Sequence, residues 1–174
     1  MSRYLTVMLA LVAFALPVLG AGVARAEDPE QISRHGDWVA YKFTENGSKV
    51  CYMASQPTSA KGNYSKRGDV FALITHRPSE NTKNVFSYIA GYTYKPESEV
   101  KITIGKDTFT LFTDNDRAWT PDDSADLALT NALRKGATMV VKGTSSRGTA
   151  TTDTFSLKGT GGAYDAISKE CGVQ

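Results

Sequence analysis

Apolar and polar residues alternate in Glu99-Val100-Lys101-Ile102-Thr103-Ile104, which predicts a half-buried β-strand. Gly105-Lys106-Asp107 then turns the chain into a partner strand over residues 108–113. An earlier hairpin follows the same logic. Residues 37–43 form its first strand, Asn46-Gly47 suits the two positive φ angles of a type I′ turn, and Val50-Cys51-Tyr52 lies on its second strand. Residues 70–74 are continuously apolar, as in a strand covered on both faces, and residues 85–92 present aromatic and aliphatic groups to both sides. Two late strands, 138–142 and 151–157, flank a loop over 143–148. The polar residues 27–35 are expected to form a short arm, and the Ser-, Lys-, Gly- and Asn-rich stretch 57–68 a long exposed loop.

The apolar period changes to that of a helix at Ala125, Ala128, Leu129, Ala132 and Leu133. A helix over 121–135 is expected, with Thr120 as its cap, Pro121 in the first position, Asp122 and Asp123 at the positive end, and Gly136 as the stop after Arg134 and Lys135. A shorter C-terminal helix places Ala163, Ile167 and Cys171 on one stripe. Together these elements predict a mainly β fold, a β-sandwich of about seven to nine short strands with one or two short helices.

The first 26 residues read differently. Arg3 precedes an apolar run over 5–19, and the segment closes on Ala24-Arg25-Ala26, the small-x-small pattern of a signal peptidase site. Residues 1–26 are therefore expected to be a signal peptide and 27–174 a single domain. Pro17 and Gly20 interrupt the run, which argues against a transmembrane span. The formal charge of +2 belongs to this leader, since Arg3 and Arg25 lie in it with no acidic residue, leaving 27–174 neutral. A nucleic-acid or anionic-lipid partner would require a basic excess that this domain lacks.

Export changes how the only two cysteines are read. Cys51 and Cys171 are expected to form a disulfide in an oxidising compartment. Neither has the C-x-x-C spacing or basic surroundings of a reactive thiol.

Other chemistry finds little footing. Gly143 and Gly148 have the spacing of a phosphate-binding loop, but Thr149-Ala150 stands where Lys and Ser/Thr are required. Asp114-Asn115-Asp116 begins like a calcium loop, yet Trp119 and Ala125 replace the glycine and glutamate that the motif needs. No nucleophile elbow occurs, and His35 and His76 are too few for a zinc site, so no catalytic residue, metal or cofactor is expected. A hydrolase using Ser145 or Ser146 with His76 is the weakest reading. Trp38, Tyr41, Tyr52, Tyr88, Tyr92, Tyr94 and Trp119 serve core packing first, with Trp38, Tyr92 and Trp119 as the candidate aromatic contacts for a ligand. Ser145, Ser146, Arg147, Thr149 and Asp153 form a candidate binding loop, in which Arg147 either holds a partner's carboxylate or pairs with nearby Asp153.

Gly36-Asp37-Trp38, Cys51-Tyr52-Met53-Ala54-Ser55, Arg67-Gly68-Asp69, Gly91-Tyr92 and Ala118-Trp119 occur in that order. A terminal block follows, from Ser145-Ser146-Arg147-Gly148-Thr149 through Asp153-Thr154-Phe155-Ser156-Leu157 and Gly159 to Ala163 and Cys171. In this order the segments resemble the invasion-associated locus B family of exported alphaproteobacterial proteins. The resemblance implies a small periplasmic or outer-membrane-associated protein, linked in pathogenic members to host-cell entry, and it brings no catalytic residues. One early and one terminal cysteine in the family pattern agrees with the disulfide. The expected function is then non-enzymatic recognition of an envelope or host protein, with loops 57–68 and 143–149 as contact surfaces. A carbohydrate- or peptidoglycan-binding module is the alternative, and it predicts exposed, coplanar aromatic rings.

Overall fold

The computed structural model describes residues 28–173, so the expected signal peptide and its cleavage site lie outside the described residues. The strands are β1 (Glu30–His35), β2 (Trp38–Glu45), β3 (Ser48–Ser55), β4 (Ser59–Gly62), β5 (Phe71–Arg77), β6 (Thr82–Ile89), β7 (Glu99–Ile104), β8 (Asp107–Asp114), β9 (Arg117–Trp119), β10 (Thr138–Thr144) and β11 (Ala150–Ser156). Helices α1 (Asp123–Lys135) and α2 (Thr160–Cys171) complete the domain. The fold is mainly β, as expected, and the eleven strands among the described residues exceed the predicted number.

All strands join one antiparallel sheet in the order β1-β2-β3-β5-β6-β9-β8-β7-β10-β11-β4. Two layers arise because this sheet bends back on itself. Tyr88 of β6 meets Phe155 of β11 edge to face at 6.2 Å, and the Trp38 indole of β2 donates to the Ser156 carbonyl at 3.0 Å. Trp38, Met53, Ile74, Phe86, Tyr88, Ile102, Leu111 and Phe155 fill the space between. Helix α1 covers β6, and α2 lies against β1, β2, β3 and β5.

Both predicted hairpins are present. Asn46 and Gly47 adopt φ of 50° and 77°, and Gly105 at 60° begins the β7–β8 turn. The polar arm is instead a strand: β1 pairs with β2 along the sheet edge, where one side faces solvent and polar residues are tolerated. The 57–68 loop likewise contains β4, held by pairing of Ser59–Gly62 with Thr151–Thr154 of β11. In β5, Ala72, Ile74 and His76 are buried while Phe71, Leu73 and Thr75 are half-exposed, so this strand is covered on one face and not both.

Helix α1 begins two residues later than expected. Asp122, not Thr120, is its cap, accepting from the Ala125 amide at 2.8 Å. Thr120 is buried and donates to the Asp126 carboxylate, which also accepts the Phe86 amide at 2.7 Å. Helix α2 places Ala163, Ile167 and Cys171 inward, and Cys171 bonds to Cys51 of β3 with Cα atoms 6.0 Å apart.

Candidate functional site

Strand β11 alternates, turning Thr151, Asp153 and Phe155 inward. Asp153 thereby becomes a buried carboxylate, and Arg67, on the connection between β4 and β5, comes down to meet it. Arg67 Nη1 donates to Oδ1 at 2.7 Å and Nη2 to Oδ2 at 2.8 Å, while Nε donates to the Ala90 carbonyl at 2.6 Å. Tyr88 adds its hydroxyl, donating to Asp153 and accepting from Arg67 Nη2 at 3.2 Å. The rings of Tyr92 and Tyr64 lie over the guanidinium at 4.9 and 5.5 Å. Burial works against the charged Arg67, yet its bond to Asp153 and the nearby negative charge outweigh it and raise its pKa. Burial, and then the charge of Asp153, raise the Tyr88 pKa, so this phenol keeps its proton.

Above this floor three connections come together. The Gly68 amide donates to the Gly91 carbonyl at 2.9 Å, and the Ser146 amide donates to the Thr93 carbonyl at 2.8 Å. Gly91 has φ of 71°, and a Cβ there would collide with the Gly68 carbonyl, so the approach of the first two connections requires glycine. They enclose a cleft of about 560 Å³ lined by residues 63–68, 91–93, 145–147, Thr149 and Thr151. Its side chains include Tyr64, Lys66, Arg67, Tyr92, Ser146 and Arg147, and among the described residues no carboxylate lines it.

Residues 38–168 match the family model described as Invasion associated locus B (IalB) protein. The chain belongs to the IalB family. The crystal structure of invasion associated protein B from Bartonella henselae is similar in fold, with a TM-score of 0.57 at 16% identity, covering 83% of this chain and 97% of that one. No curated protein matches the chain. Every residue lining the cleft falls inside the IalB match.

Several expected site residues part company within the IalB domain. Ser146, Arg147 and Thr149 line the cleft, the first two exposed. Ser145 is a buried turn residue whose hydroxyl accepts the Thr149 amide at 3.2 Å. Asp153 is not part of the loop surface and does not pair with Arg147, because the strand turns it inward to Arg67. Trp38 is 0% exposed and belongs to the core. Tyr92 is half-buried in the cleft, its hydroxyl 2.7 Å from that of Thr151. Trp119 is half-buried elsewhere, stacked on the exposed Phe112 at 5.9 Å.

His76 does not join the serines. Its Nδ1 accepts the Asn84 amide at 3.1 Å, and Nε2 lies 3.2 Å from Ser168 Oγ on α2. Among the described residues no three of His, Cys, Asp and Glu come together as a metal site would need. The expected contact loop 57–68 supplies Tyr64, Lys66 and Arg67 to the cleft, although none of the three was singled out from the sequence as a site residue, and Tyr88, expected only in core packing, also binds Asp153. One signal for Arg67 was legible, since the alternation of β11 turns Asp153 inward and a buried carboxylate needs a cation.

Proposed function

We propose that this IalB-family chain is an exported, non-enzymatic recognition protein that binds an envelope or host protein through the cleft. The observation that carries the reading is the cleft itself, in which Lys66, Ser146 and Arg147 are presented by connections tied to one another and set over the buried Arg67–Asp153 pair. Pre-fixed walls suit binding, because little loop ordering opposes association. Support for a non-catalytic role comes from His76, which is bound to Asn84 and Ser168 away from Ser145 and Ser146. The leader over residues 1–26 and the Cys51–Cys171 disulfide support a periplasmic, outer-membrane-associated or secreted location. The Bartonella henselae relative is named for invasion, and a host protein is accordingly among the partners proposed.

The carbohydrate-binding alternative draws less support. It calls for two or more of Trp38, Tyr92, Tyr94 and Trp119 to be exposed and coplanar, whereas Trp38 and Tyr94 are buried, Tyr92 is inclined 75° to Tyr94, and the half-buried Trp119 stacks on Phe112 and on none of the other three.

A photo-crosslinking residue placed at Ser146 in the native host tests the reading, with Lys106 on the β7–β8 turn as control position. One dominant protein adduct from position 146 and not from 106 is expected. Only self-adducts, or none, would overturn the proposal.

A further inference from the structure

We infer that the cleft receives a carboxylate-rich, extended segment of a partner protein, held by Arg147 and Lys66. The inference rests on the recognition reading above and gives its ligand a chemical class.

Charge is the first argument. Among the described residues three cations and no carboxylate line the cleft. Arg67 is neutralised by Asp153, with 5% and 1% of their side chains exposed, which leaves Lys66 and Arg147. Both are exposed, and neither takes part in the ion pairs found among the described residues. In a domain with equal numbers of acidic and basic residues, this is a local excess of positive charge with hydroxyls beside it on Ser146 and Thr149. A guanidinium fork and hydroxyl donors match a carboxylate, and an acidic residue among the walls would have opposed one.

Shape selects a peptide over other anions. A cleft of about 560 Å³ is far larger than a single carboxylate and falls in the usual size range of ligand sites. It begins at Asn63, immediately after β4, and β4 is the terminal strand of the sheet, paired on one side only. Among the described residues no strand covers the outer side of β4, which leaves room there for an extended chain leaving the cleft, as in strand addition. Tyr64 ties this edge to the cleft, its hydroxyl donating to the Ala60 carbonyl at 3.1 Å. An acidic sugar is disfavoured because the rings of Tyr92 and Tyr64 are engaged with Arg67 at 4.9 and 5.5 Å.

The test is fluorescence anisotropy of the purified, disulfide-bonded protein with a fluorescein-labelled octapeptide of alternating Glu and Asp, against its Gln/Asn counterpart. The acidic peptide is expected to bind at least about tenfold more tightly, with affinity falling as salt rises. R147E and K66E, at exposed positions, should each weaken it about tenfold or more, and K106E should leave it unchanged. Equal binding of the two peptides, no binding, or indifference to R147E would overturn the inference. Competition by inorganic phosphate at matched ionic strength as strong as by unlabelled peptide would also overturn it, revealing a generic anion site. If position 146 still crosslinks to a protein in cells, the ligand class is wrong and the recognition reading stands. If that adduct is missing too, both fall.

Discussion

Arg67 and Asp153, 86 positions apart, meet fork to fork beneath the cleft, Nη1 to Oδ1 at 2.7 Å and Nη2 to Oδ2 at 2.8 Å. Removing one partner strands a charge in the core, so R67M or D153N should each cost about 3–5 kcal/mol. The paired replacement R67M with D153L should cost less than either single change, because no charge is left unmatched. Urea midpoints of the four proteins measure this, and a single variant within about 1 kcal/mol of the parent would refute a buried, mutually dependent pair.

Acid should loosen the fold through His76. Burial lowers its pKa from 6.5 to about 4, a backbone hydrogen bond at Thr75 opposes that shift, and the charge of Lys83 adds to it. Between those values the unfolded chain takes up a proton that the folded protein refuses. The contribution of His76 is therefore full above pH 6.5 and lost as pH falls toward 4, by about 3 kcal/mol. Asp126 acts in the opposite sense, since burial raises its carboxyl pKa and its contribution is lost as pH rises through that value. Stability against pH should slope less steeply in H76N than in the parent, and an unchanged slope would remove His76 from the explanation.

Reduction should be costly. The disulfide closes a loop between positions 120 apart, worth about 5 kcal/mol on chain entropy alone. C171S should show a lower urea midpoint, with hydrogen-exchange protection falling first along α2. Equal midpoints with and without reductant would contradict it.

Glycine is required at one wall of the cleft and matters less at Gly148, in the loop beside it. G91A forces a side chain into left-handed backbone and against the Gly68 carbonyl, and should cost at least about 2 kcal/mol. Gly148 has φ of 81° with open space around it, so G148A should cost about 1 kcal/mol. Thermal unfolding of both compares strain with and without collision, and similar losses would show that the close approach is not enforced.

Much of the fold was legible because apolar side chains carry a period. The β7–β8 hairpin, the Asn46-Gly47 turn and the inward stripe of α2 all follow from such spacing. β1 and β4 were not visible, because these mostly polar edge strands have no fully buried residue to set a period, Ile32 being partly buried against the core, and are fixed by their neighbours. The cleft was half legible. Ser146, Arg147 and Thr149 stood out as polar groups between strands, whereas nearness in sequence favoured Arg147 as the partner of Asp153. Strand geometry decided otherwise, since Asp153 shares the inward side of β11 with Thr151 and Phe155.

The joining of β4 to β11 bears on when the cleft comes into being. Ser59–Gly62 must wait for Thr151–Thr154 before it has a partner, and Arg67 must wait equally long for Asp153. Closing such long loops is slow compared with forming hairpins such as β2–β3 or β7–β8. The cleft should thus assemble later than these hairpins, and a molecule in which β4 has not yet met β11 should bind its partner poorly.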